Sequence, residues 1–268
     1  YAYEKYYLLL DLIDWEKKLV EEEYLRGAFG KDLTKLVEEE TEALERLRNL
    51  AEYQMLYSKI NYVFRRGGYS RNDEEQAIVD EIANYHLIVG KNTALTTKAA
   101  TACYYIKGLC ASTERNFEET YINFMKVMTI MENNPLIMSE LPKRYVKAVN
   151  NVIFYYMNRK DWDNCFKMIQ KMNGLVNKKG FESLDVQLKL FTFPKNAELL
   201  VCMAKGDFDE AIDTVVPLIL KGIKTYDGKI NNEEVMLFYY NLSIPPNHKA
   251  KSGFTGFLTN TILSVPCK

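Results

Sequence analysis

The chain's 268 residues include 35 basic and 36 acidic side chains, for a net charge of −1, and are 47% hydrophobic. This is ordinary globular composition, and it provides no global field to recruit nucleic acid or an anionic membrane. No apolar run reaches the ~18 residues that suggest a transmembrane helix.

Residues 3–26 read as a helix whose broad apolar face includes Leu8, Leu12, Trp15 and Leu19. Glu21-Glu22-Glu23 forms a solvated face, and Gly27 and Gly30 mark a turn. Residues 32–66 read as one long helix of about 50 Å, packed as a hairpin on the first. Its apolar face fades through Glu38-Glu39-Glu40, where packing is expected to be interrupted; a dimerising coiled coil is the alternative. Arg65-Arg66-Gly67-Gly68 stops it. Residues 72–90 read as a single helix capped by Asn72 and ended by Gly90, with an isolated His86.

Three hairpins follow, 93–113 with 117–133, 142–159 with 162–174, and 194–205 with 208–224. Pro135 closes the first, Pro194 opens the third, and Pro217 kinks or shortens its second helix. A connector fills 176–190, and Asn231-Asn232-Glu233-Glu234 caps a further helix. From Ile244 the pattern breaks into either an irregular tail or a segment read out of frame from Ser252.

One phrase marks each hairpin turn: Asn116-Phe117-Glu118-Glu119-Thr120, Asp161-Trp162-Asp163-Asn164-Cys165 and Asp207-Phe208-Asp209-Glu210-Ala211. The aromatics stand 45 and then 46 residues apart, a spacing typical of helical-repeat arrays. Asn or Asp opens each copy as a helix cap, and Glu119 and Glu210 stand at capping-box spacing. The aromatic is expected to lock the new helix onto its predecessor. The small residue three places on lets the two helices approach closely.

These motifs resemble the tetratricopeptide repeat family, whose 34-residue pattern is a helix–turn–helix. With Phe117 on the family's turn aromatic, Gly108 falls on the helix-crossing glycine, Thr120 on the small residue and Phe124 on the second-helix aromatic. With Trp162 there, Asn151, Tyr156 and Cys165 match. The third copy keeps Gly206, Asp207, Phe208 and Ala211, but Leu199 replaces the crossing glycine. The resemblance covers residues 95–243 and implies an all-α, α-α superhelix, a solenoid of helical hairpins. It divides the chain into N-terminal helices (1–92), repeats (93–243) and a tail (244–268).

The resemblance also implies a non-catalytic scaffold that binds a protein or peptide along the groove lined by the first helices. The family's groove offsets fall on Tyr105, Leu109, Lys147, Asn150, Phe154, Asn158, Asn196 and Leu200, with Asn151 and Asn241 beside them. Asn carboxamides can pair with a peptide backbone as donor and acceptor, or bond neighbouring helices instead. The alternative function is a regulatory domain of a longer protein, since the chain opens at Tyr1 rather than Met.

No phosphate-binding loop or nucleophile elbow occurs, and His86 and His248 lie far apart, so neither cofactor nor metal is expected. Basic residues between Lys143 and Lys179 read as a solvated face. The five cysteines form no Cys-x-x-Cys pair. They suit a reducing, cytoplasmic setting, and the frequent Lys, Asn, Ile, Tyr and Phe suit a bacterial source.

Overall fold

A computed structural model of the chain describes residues 4–25, 33–65 and 69–243, and all regular structure among them is helical. The expected features at Gly27, Gly30, Gly67 and Gly68, together with His248 and everything from Ile244, lie outside the described residues. Two compact units divide the chain, Tyr1–Glu140 and Leu141–Lys268.

In the first unit, α1 (Tyr6–Leu25) packs antiparallel on the first half of α2 (Leu33–Arg65). Lys17 pairs with Glu40, and Arg46 donates to the Tyr6 hydroxyl at 3.0 Å. Ile13, Val20 and Leu36 are buried between the two helices. α2 stays continuous through the acidic stretch at 38–40, but none of its side chains between Leu36 and Ala43 is buried, and Glu40 pairs with Lys17 of α1.

The second half of α2 buries Tyr53, Leu56, Ile60 and Val63. It packs on α3 (Asp73–Ala83) and α5 (Thr97–Thr113). Asn49 of α2 donates to the Thr93 carbonyl at 3.0 Å and accepts from the Leu95 N–H at 3.0 Å. Further along, Tyr57 meets Tyr105 edge-on at 5.7 Å. The two contacts advance together along both helices, so α2 and α5 run parallel. Through this packing α2 belongs to the same unit as the first marked hairpin.

The single helix expected over 72–90 is two. α3 ends at the cap residue Asn84, whose backbone N–H and carboxamide both donate to the Asp80 carbonyl, at 3.0 and 2.9 Å. Tyr85 is extended, and α4 (His86–Val89) follows with His86 exposed. Pro135 likewise opens a helix, α7 (Pro135–Glu140), where a closing role was expected. Lys98 and Lys5 both pair with Glu140 at 2.6 and 3.0 Å. Burial opposes ionisation of Glu140, but the two lysines outweigh it and hold the carboxyl below its ordinary range.

α6 (Phe117–Glu132) returns antiparallel along α5. Phe124 is fully buried, and its ring would stand 3.0 Å from a Cβ added at Gly108. The crossing glycine and second-helix aromatic read from the sequence are therefore in direct contact.

The second unit contains α8 (Pro142–Asn158), α9 (Trp162–Asn173), α10 (Leu184–Lys205), α11 (Phe208–Glu210), a π-helical turn (Ala211–Val215), α12 (Val216–Thr225) and α13 (Asn232–Ser243). Pro194 lies inside α10, which starts ten residues earlier than expected, with Val186 and Leu190 buried one turn apart. Pro217 sits in the first turn of α12, directly after the π-helical turn, so the expected disturbance takes the form of a π segment. Gly222 of α12 faces Phe191, whose ring leaves no room for a Cβ.

Contacts between α10 and α13 keep a constant offset. Lys189 pairs with Glu234 at 3.5 Å, and Asn241 donates to Asn196 at 2.6 Å, both 45 residues apart. The two pairs are seven residues apart along each helix, two turns, so α10 and α13 run parallel in one register.

Each marked turn uses the same backbone device. Asn116, Asp161 and Asp207 donate their N–H to the carbonyls of Ala111, Tyr156 and Cys202, five residues back, at 2.8 to 2.9 Å. The preceding residues Arg115, Lys160 and Gly206 have positive φ of 60°, 57° and 80° and bond three residues back. This is the Schellman ending of a helix, followed at once by the next helix's cap. Asn116 and Asp161 accept from the N–H three residues on, each at 3.2 Å. The Asn164 carboxamide and N–H hold the Asp161 carboxyl below its ordinary range.

Asp207 caps nothing with its side chain and pairs with Lys205 instead. The reciprocal arm of the capping box is absent at Glu119, whose carboxylate accepts from Asn123, because the Asn116 N–H already has a partner. Thr120, Cys165 and Ala211 are buried as expected, but Phe117 is 55% exposed and does not lock its helix.

The left-handed positions carry opposite expectations. Gly206→Ala should lower stability by about 1 kcal/mol, because a Cβ is disfavoured at φ 80°. Lys160→Gly should raise it by about 0.5 kcal/mol, relief of the same strain less the added chain entropy. Urea midpoints of the two variants should therefore move in opposite directions.

Candidate peptide-binding face

The side chains of α8 divide cleanly. Tyr145, Val146, Ala148, Val149, Val152 and Ile153 are buried. Lys147, Asn150, Asn151, Phe154 and Asn158 stand at intervals of three and four and form its accessible stripe. Phe154 is 38% exposed, an apolar ring among amides. Asn151 donates to the Lys147 carbonyl at 2.8 Å and is partly used within the helix. The carboxamides of Asn150 and Asn158 have no side-chain partner among the described residues, leaving their donors and acceptors available.

Lys143 at the start of α8 pairs with Asp185 at the start of α10, and the two helices pack together. Leu200, further along α10, is half-buried. This set lies wholly within the second unit.

The other groove candidates are enclosed. Tyr105 and Leu109 are buried in the first unit, where Tyr105 packs edge-on against Tyr57 and Phe124. Their helix α5 is flanked by α2, α3, α4 and α6, which leaves little of it uncovered. Asn196 and Asn241 are 9% and 4% exposed and bonded to one another, so they join neighbouring helices and present no amide to a ligand.

The described thiols of Cys103, Cys110, Cys165 and Cys202 are all free and buried. Burial raises each pKa, that of Cys110 to about 12 and that of Cys165 to about 11, which leaves little thiolate at neutral pH. Among the described residues no group of three or more His, Cys, Asp or Glu could hold a metal ion, and no helix is long and apolar enough to cross a membrane.

The sequence reading missed the duties of Asn49 and the arrangement of charges on α5 and α6. The charges were visible as lysine–glutamate spacings of seven on both sides of the Asn116 turn. No family model, curated protein or solved structure matches the chain.

Proposed function

We propose that the chain is a non-catalytic scaffold that binds an extended peptide segment of a partner protein along the exposed stripe of α8. The observation that carries this reading is Phe154, an exposed ring flanked along the helix by the uncommitted carboxamides of Asn150 and Asn158. An apolar anchor beside groups that both donate and accept suits a peptide's side chain and backbone together. The parallel helices α10 and α13, bonded at a constant offset of 45 residues, support placing this face on a tetratricopeptide-like array.

Selection of a random peptide display library on the protein tests the reading. An enriched consensus is expected on the native chain, and its enrichment should fall at least tenfold on the Asn150→Ala/Phe154→Ala/Asn158→Ala variant. These side chains are outside the core, so the variant should keep its helical circular dichroism. Failure to enrich any consensus, or equal enrichment on the variant, would overturn the assignment.

A further inference from the structure

A second candidate site lies in the first unit, on the antiparallel pair α5 and α6. An open depression of about 390 Å³ elsewhere in this unit is lined mainly by Ser58, Lys59, Tyr62, Ile78 and Glu81, whose Lys59 and Glu81 already pair with each other at 2.7 Å. The depression between α4, α5 and α6, about 360 Å³, differs because its charges are unpaired.

Lys107 of α5 and Lys126 of α6 point their ammonium groups at one ring, that of Tyr104, at 5.7 and 5.0 Å from its centroid. No carboxylate among the described residues pairs with either lysine. Glu114 and Glu119 line the same depression and have no lysine or arginine partner there.

Position along the helices separates the two signs. Glu114 lies seven residues after Lys107, and Glu119 seven residues before Lys126. Because α5 and α6 are antiparallel, the lysines share one end and the glutamates the other, two helical turns or about 10 Å apart. Two like charges stand at each end, none with an opposite charge as partner among the described residues, although Asn123 donates to Glu119. Val89 of α4, 62% exposed, also lines the depression.

We infer that this depression binds an extended peptide carrying an acidic residue and a basic residue three positions apart, with apolar residues between. In the polyproline II form of extended chain three residues span about 9 Å and return the side chain to the same face, which matches the separation of the charged ends. The ligand's carboxylate meets Lys107 and Lys126 over the Tyr104 ring, its cation meets Glu114 and Glu119, and its apolar side chain covers Val89. Like-charged ends exclude peptides of a single sign, so the depression selects by repulsion as well as attraction. The site is independent of the α8 stripe and stands or falls separately.

Nuclear magnetic resonance titration of the full chain with capped tetrapeptides tests this. Ac-Asp-Leu-Leu-Arg-NH2 is expected to shift backbone amides across 83–126 saturably. Ac-Asp-Leu-Leu-Asp-NH2 and Ac-Lys-Leu-Leu-Lys-NH2 should bind at least tenfold more weakly. The Lys107→Glu/Lys126→Glu variant should reverse the preference and take the dibasic peptide best, a gain that unfolding cannot mimic. Phe154→Ala should leave this binding unchanged, which separates the site from the α8 face. Equal shifts from all three peptides, absence of saturable shifts, or an unaltered preference in the charge-inverted variant would overturn the inference.

Discussion

Phe124→Ala is expected to destabilise the first unit by about 3–5 kcal/mol, the range for removing a fully enclosed phenylalanine. The ring is completely buried, meets Tyr105 edge-on at 5.1 Å and rests against Gly108. Neither of these two neighbours can fill the vacancy. Gly108 has no side chain to advance, and Tyr105 is held on its other edge by Tyr57. Phe124→Leu, which keeps most of the volume, should cost less than half as much.

The buried thiols supply a readout confined to each unit. Pulsed alkylation across a urea series, followed by mass spectrometry, reports the first unit through Cys103 and Cys110 and the second through Cys165 and Cys202. The Phe124→Ala midpoint should fall steeply for Cys103 and Cys110. An unchanged midpoint at those two cysteines would contradict the packing described between α5 and α6.

The bond between Asn196 and Asn241 gives the second large expectation. Either single change to Ala removes one partner and leaves a nearly enclosed carboxamide facing an apolar methyl group. The cost of an orphaned buried amide is about 1–3 kcal/mol. The double variant should be less destabilised than the sum of the singles, because no orphan remains after both carboxamides are gone. The Cys202 alkylation midpoint should show this non-additivity. Strict additivity would mean that the two side chains act separately.

Much of the fold was legible where local chemistry and periodicity agree. The helices over 6–25, 33–65, 117–132 and 162–173 follow their apolar spacing, and Asn72, Asn116 and Asp161 cap as their side chains suggest. Legibility failed where a distant element decides. Pro194 alone reads as a helix start, yet Val186 and Leu190 are buried ahead of it and carry α10 back to Leu184. The break at Asn84 has no local signal, since the same asparagine bond four residues back occurs inside the unbroken α6 and α8.

The candidate site divides in the same way. Family offsets identify one face of each first helix but carry no information about what covers it. On α8 that face is open at Phe154, on α5 it is packed at Tyr105, and on α10 Asn196 is taken by the next helix. Asn150, Asn196 and Asn241 recur at intervals of 46 and 45 residues, but between Asn196 and Asn241 the spacing records a bond within the fold. The charges facing each other across α5 and α6 needed the antiparallel register before their separation into ends could be seen.

The marked turns have an evolutionary consequence. Each is specified by main-chain hydrogen bonds and one left-handed residue, which Arg115, Lys160 and Gly206 all supply. Such a turn asks little of side-chain identity, and even its aromatic can face solvent, as Phe117 does. The hairpins can therefore persist while most of their letters drift, as long as apolar size and polarity are kept. A lineage built on this device could renew its surfaces, and what they bind, faster than it renews its architecture.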